Sequence, residues 1–392
     1  MFKVAKALGR LGTETAVEVL QRARQMEARG RDIIHLEVGE PDFDTPAHIT
    51  EAGIEALRRG ETHYTPSAGI APLREAIADY ISDTRDIAVT PDQVVVVPGG
   101  KPIMFFSILC LCEPGDEVIY PNPGFPIYES MINYVGAKPV PIPLRMENGF
   151  RLDPEELASL VNPRTKMVIL NSPHNPTGGV LSHSDLVAIA EAVQRTDAVV
   201  LSDEIYSRIL YEGTFHSIAS LPGMAERTII LDGFSKTYAM TGWRLGYGVM
   251  PRELAPHITR LMTNSNSCTA TFTQYAGLAA LKGDQRPAEA MVKAFRERRD
   301  VIVKGLQEIP GFRCLCPSGA FYVFPNVEGT GLKAREMQDY LLEEAGVATL
   351  AGTSFGQYGE GFIRLSYANS TENLKKALQR IRQAVERLPG RA

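Results

Sequence analysis

The 392-residue chain has no apolar stretch long enough to cross a bilayer. Its most apolar window runs only from Ile103 to Cys112, between Pro102 and Glu113, whereas a spanning helix needs about 20 such residues. A basic N-terminal start followed by an apolar run and a cleavage site is also missing, so a cytoplasmic protein is expected. Basic runs are absent: 41 Lys and Arg against 46 Asp and Glu give a net charge of −5. That balance makes nucleic acid and anionic membrane poor partners and favours a small-molecule enzyme. Cysteine is sparse and odd in number, five in all. The pairs Cys110/Cys112 and Cys314/Cys316 come with no His-x-x-His or Cys-x-x-Cys, and Cys110 and Cys112 fall in an expected helix, where residues two apart point to different faces. No metal site is expected, and the thiols suit a reducing compartment. Internal repeats and low-complexity linkers are missing too.

What the chain has is short apolar runs alternating with helical patterns. That pattern predicts an α/β fold with a mostly parallel sheet flanked by crossover helices. Strands are predicted at Gln93–Val97, Glu117–Tyr120, Met167–Leu170, Ala198–Ser202, Thr228–Leu231 and Leu245–Val249. Several run into turn formers, such as Pro98-Gly99-Gly100 and Asn171-Ser172-Pro173. Open α/β sheets bind ligands at the carboxyl ends of their strands, so one site assembled from several loops is expected. After about residue 285 the pattern changes to charged helices, predicted at Ala288–Ile309, Ala334–Ala345 and Glu372–Leu388, around a strand Phe321–Phe324. This reads as a second, smaller α+β domain, and the length suits two or three domains.

Lys236 lies in the run Gly233-Phe234-Ser235-Lys236-Thr237-Tyr238-Ala239-Met240-Thr241-Gly242-Trp243-Arg244-Leu245-Gly246. The strand before it would hold the lysine at a strand end, out of full solvation. Desolvation and a nearby cation such as Arg244 lower an amine pKa, and only a neutral amine attacks an aldehyde. Pro98-Gly99-Gly100-Lys101-Pro102 joins a strand to a helix start, where bare N–H groups and the macrodipole favour phosphate; alone it reads as an ordinary connector, and beside Lys236 as a phosphate loop. Asp203, after the apolar run Ala198–Leu201, would sit at a strand mouth as a partner for a ring nitrogen or as an N-cap for a following helix. Arg364 interrupts a short apolar strand and suits either a carboxylate ligand or a structural salt bridge.

Taken together, these segments resemble the class I and II aminotransferases, pyridoxal-phosphate enzymes of fold type I, from about Leu11 to Arg382. The resemblance implies that Lys236 carries pyridoxal 5′-phosphate covalently and moves a proton, with Asp203 on the ring nitrogen and Tyr206 on the 3-oxygen. Gly100 and Lys101 would supply backbone donors to the phosphate, Ser235 and Arg244 side-chain donors, and Phe125 a stacking ring. Asn175, in Asn175-Pro176-Thr177-Gly178, would contact the 3-oxygen and the substrate carboxylate; Arg364 would clamp that carboxylate beside the Gly39 backbone. His174 would support the site from behind. Tyr64 would reach the neighbouring subunit's phosphate, implying a homodimer with shared sites. The small domain would be discontinuous: an arm over 1–45, a large domain over 46–285 and the rest of the small domain over 286–392.

The implied reaction is ping-pong transfer of an amino group from an L-amino acid to a 2-oxo acid such as 2-oxoglutarate. Lys101, Thr13 and Thr15 fall where the aspartate/prephenate branch places its distal-carboxylate ligands, which favours aspartate- or glutamate-type donors. Lys101 also reads as a solvated helix start and Thr13 as a turn cap. Phe125 stands where many acidic-substrate members carry tryptophan, and Pro102-Ile103-Met104 leaves room for aromatic or aliphatic donors. A lyase or decarboxylase at the same lysine is the enzymatic rival, and Arg364 disfavours loss of the carboxylate it would hold. A cofactor-sensing regulator would need a DNA-binding domain, for which little chain precedes the resemblance.

Overall fold

The computed structural model describes residues 2–12 and 14–388. After a helix over Thr15–Glu27, the first strand, β1, is Ile34–His35. The central sheet has seven strands: β2 (Val94–Val97), β3 (Glu117–Asn122), β4 (Lys138–Pro143), β5 (Thr165–Asn171), β6 (Val199–Asp203), β7 (Thr228–Gly233) and β8 (Gly246–Val249). They lie in the order β2-β8-β7-β6-β5-β3-β4. β8 runs antiparallel to both β2 and β7, and the other neighbours are parallel. Helices cover both faces, as continuous apolar strands require: Val94 and Val96 enter one core, Val95 and Val97 the opposite one.

Four of these strands reach one or two residues further toward their carboxyl ends than the apolar runs predict, to Asn122, Asn171, Asp203 and Gly233. Polar residues end the apolar signal there, but the ladder continues. β4, Lys138-Pro139-Val140-Pro141-Ile142-Pro143, is a strand that periodicity misses. It lies at the sheet edge, paired on one side only with β3. The backbone N–H groups of Lys138 and Leu144 donate to the β3 side, while the intervening prolines alternate onto the open edge, where no N–H is needed.

The second sheet comprises β9 (Tyr322–Val323), β11 (Leu350–Ala351) and β12 (Ile363–Ser366), ordered β11-β12-β9, while β1 pairs in parallel with β10 (Val347–Ala348). The Ser366 N–H donates to the Leu36 carbonyl at 2.8 Å, so the segment around β1 packs against the C-terminal region. Long helices over Arg286–Gln307 and Thr371–Glu386 cover this layer. The helix predicted over Ala334–Ala345 is regular only to Tyr340 and closes in a wider π turn over Leu341–Ala345. Among the described residues no helix is long and apolar enough to cross a membrane.

A buried ionic cluster ties the sheet to its covering helix. Arg85, at the end of Ala71–Arg85, donates from Nε to Glu204 at 2.9 Å and from Nη2 to Asp232 at 3.0 Å. All three are almost fully buried. Removing the cation strands two carboxylates in low dielectric. Arg85→Met is therefore expected to destabilise the fold by about 3–5 kcal/mol, read as a lower midpoint in urea unfolding. A shift under about 1 kcal/mol would mean that the acids take up protons instead.

Candidate active site

The polar carboxyl ends of β5, β6 and β7 open into one cavity of about 380 Å³. Its walls also draw on the N-terminal helix, the Gly39 segment, the loops after β2 and β3, and β12. Lys236, in the turn following β7, points its Nζ into this cavity and donates to the Gly39 carbonyl at 2.7 Å. Burial lowers its pKa to about 8; Glu40 opposes the shift, and Arg364, Lys101 and Arg244 add to it. An aldehyde offered to the cofactor-free chain is thus expected to add to Lys236 at a rate that rises with pH and levels off above about 8. Stopped-flow absorbance would check this; a profile still climbing toward pH 10.5 would indicate an ordinary solvated lysine.

Asp203 closes β6 and is buried. It accepts from the Tyr128 hydroxyl at 2.8 Å and from the Ile205 N–H at 3.3 Å. It forms no ion pair among the described residues, and burial pushes its pKa up to about 6, offset by those hydrogen bonds. No helix follows it, so the N-cap alternative fails: the chain turns through residues 204–208 instead. Tyr206, in that turn, shares a 2.7 Å hydroxyl contact with Tyr322, and burial raises its pKa well above the ordinary phenol value.

At one end of the cavity Gly100 caps the helix Lys101–Leu111, with Pro102 in its first turn. Ser235 and Arg244 also line the cavity, Arg244 beside Gly99. Gly99 has φ +84, and a Cβ there would overlap the Arg244 guanidinium, so the turn needs glycine both for its conformation and for that approach. At the other end Arg364, inside β12, donates from Nη1 to Asn175 Oδ1 at 3.1 Å and from Nη2 to the Glu37 carbonyl. Its Nε has no partner, and its guanidinium lies over the Tyr322 and Phe355 rings at 4.6 and 4.9 Å. No carboxylate among the described residues pairs with it: the Glu37 side chain turns away to His35, 2.7 Å off. The salt-bridge alternative for Arg364 is thereby removed, and what is left is a buried cation that wants an anion.

Asn175 receives support from behind, its N–H donating to Asn171 Oδ1 at 2.9 Å, while Asn171 donates to the Asp203 carbonyl at 3.0 Å. His174 is buried on Thr177, outside the cavity lining. Phe125 lines the cavity, with Lys101 Nζ 5.3 Å from its ring centre. Tyr64 is 88% exposed and takes no part in the cavity of its own chain. Thr13 lies outside the described residues. Among residues that sequence reasoning missed are Glu14, Glu40 and Tyr322 in the wall and Tyr128 beneath Asp203. None sits in a turn motif or at a strand mouth, and Tyr322 is recognisable only through a contact 116 positions distant.

This donor set fits pyridoxal phosphate. A buried carboxylate without a cation suits a protonated ring nitrogen; the helix start with Ser235 and Arg244 suits a phosphate; a depressed amine suits an aldehyde. The comparisons agree. Residues 31–381 match the family model for aminotransferase class I and II. The chain is 42% identical over 371 residues to an aspartate aminotransferase of Pyrococcus horikoshii, covering 94% of each. It is 41% identical over 358 residues to aromatic-amino-acid aminotransferase 2 of Thermococcus litoralis, covering 90% of this chain and 92% of that one. Among solved structures, the aspartate aminotransferase of Thermus thermophilus with maleate superposes with a TM-score of 0.93 at 38% identity, covering 98% of this chain and all of that one. The chain belongs to the class I and II aminotransferases and is a pyridoxal-phosphate-dependent transaminase of fold type I.

Proposed function

We propose that the cavity moves the amino group of an aspartate- or glutamate-type L-amino acid to a 2-oxo acid such as 2-oxoglutarate. The observation that carries this reading is Arg364, a buried guanidinium without a carboxylate partner among the described residues, lining the same cavity as a lysine whose pKa burial lowers. Arg364, Asn175 and the Gly39 backbone hold the substrate α-carboxylate and so set Cα over Lys236. Bound pyridoxal phosphate supplies the electron sink that makes the Cα proton removable. Lys236 Nζ takes that proton and later returns one, as general base and then acid. Asp203, oriented by Tyr128, would keep the ring nitrogen protonated through its negative charge, and Tyr206 would donate to the 3-oxygen. Gly100, Lys101, Ser235 and Arg244 would hold the phosphate, and Phe125 would supply the stacking ring. Donor and acceptor use the same cavity in turn, which gives ping-pong kinetics.

An acidic donor is favoured by Lys101 in the cavity wall and by relatives named for aspartate, one of them solved with the dicarboxylate maleate. Aromatic or aliphatic donors are the second reading, favoured by Met104, Val17 and Leu20 in the same wall and by the aromatic-amino-acid relative. The exposed Tyr64 is assigned to the neighbouring subunit's phosphate, so the working unit is a homodimer. Five free thiols suit the cytoplasm. The domain division is taken as 1–45 with 286–392, against 46–285. Half-reactions with each amino acid, followed by the change in cofactor absorbance, test the donor: aspartate and glutamate should react fastest, and failure of both defeats the acidic reading. In the same panel Arg364→Leu should lower kcat/KM about 100-fold for every donor, mainly through KM. A loss confined to acidic donors would move Arg364 to side-chain recognition.

A further inference from the structure

Glu14 precedes the helix Thr15–Glu27 in the N-cap position, yet its carboxylate makes no cap hydrogen bond. It reaches instead across the cavity wall to Lys101 Nζ, with which it forms a hydrogen-bonded ion pair. Both residues line the cavity. The chain just before Glu14 is fastened: the Gly12 N–H donates to Ser130 Oγ at 2.9 Å, and Arg10 donates to the Asn133 and Tyr134 carbonyls, each at 2.8 Å. The carboxylate is thus hung over the cavity by an anchored arm. Its field also acts on Arg364 and Tyr322. Beside the pair the wall is apolar, through Val17, Leu20 and Met104.

We propose that Glu14 is a specificity-determining residue: an internal counter-ion of Lys101 that a dicarboxylic substrate must displace with its second carboxylate, and that stays paired when an apolar monocarboxylic substrate enters. The inference rests on the transaminase reading in which Arg364 takes the α-carboxylate. Without Glu14 the far wall would offer an unpaired ammonium, which favours a second carboxylate and penalises an apolar side chain. With Glu14 in place the wall is formally neutral. Exchange is cheap because the pair is not sealed from water: the side chains of Lys101 and Glu14 retain 50% and 24% exposure, and pairs this open are worth at most about 1 kcal/mol. One cavity then serves acidic and apolar substrates in the two halves of a ping-pong cycle.

The test uses the holoenzyme with Glu14→Gln, Lys101→Met and both changes together. The readouts are kcat/KM for glutamate against leucine or phenylalanine, and inhibition by succinate against butyrate. Glu14→Gln should raise the dicarboxylate-to-monocarboxylate ratio about three- to tenfold in both readouts, through KM and the inhibition constant. In the Lys101→Met background the same change should have no such effect. A ratio that moves less than about twofold, falls, or shifts equally without Lys101 overturns the proposal. If the unaltered enzyme turns over neither class, the donor assignment above falls, while the succinate-to-butyrate ratio still decides for or against Glu14.

Discussion

Replacing Lys236 with alanine is expected to lower transamination by at least about 10⁴-fold and to abolish covalent retention of the cofactor. The size of the effect follows from one atom having two duties. Nζ is the amine that adds to the aldehyde and the base that moves the Cα proton, and among the described residues no other lysine donates to the Gly39 carbonyl where Nζ rests. Lys101, the other lysine in the cavity wall, points its Nζ to Glu14 instead. Borohydride reduction followed by peptide mass analysis should locate the cofactor on Lys236 in the unaltered protein and nowhere in Lys236→Ala. Turnover within about tenfold of normal, or an adduct at another lysine, would sink the assignment. The fold should survive, because among the described residues the amine makes only one hydrogen bond, to the Gly39 backbone.

Asp203→Asn is expected to cut kcat by about 10²–10³ with a much smaller change in KM, since a fixed charge in a dry site acts mostly on the transition state. The substitution keeps size and leaves an acceptor for Tyr128, but it removes the anion. A stability signature of opposite sign should accompany the loss. Burial raises Asp203 from an ordinary 3.8 to about 6, so the cofactor-free folded chain binds more protons here than the unfolded chain between those values. The stability that Asp203 contributes is fully present below about pH 4 and is lost as pH rises through about 6. Cofactor-free Asp203→Asn should therefore be more stable than the parent above pH 6, by about 3 kcal/mol, and lose that advantage near pH 4. A variant that is less stable at neutral pH would show that a hidden cation already compensates the carboxylate. This is the pattern of a site that gives up stability for function.

The central strands were legible because they are buried on both faces and apolar throughout, as Val94–Val97 shows. β4 was not, because its prolines are tolerated only by virtue of lying at an edge, and edge position is a property of the sheet. The antiparallel sense of β8 is likewise invisible in Gly246–Val249, whose direction depends on pairing with β2 and β7. In the cavity, Lys236, Asp203, Asn175 and Arg364 stood out because each breaks an apolar run or sits in a turn at a strand end. Tyr128, Glu37 and Glu14 did not, since their importance lies in contacts to residues far along the chain.

The α/β architecture, the family and the chemical kinds of group available can be read from the order of residues alone, because periodicity and local motifs are short-range properties of the chain. How those groups are charged and partnered comes from the folded arrangement: Lys236 is desolvated against Gly39, Asp203 and Arg364 are buried without opposite charges among the described residues, and Lys101 faces Glu14. Desolvation and Coulomb energy depend on distances between residues that the chain separates and the fold brings together.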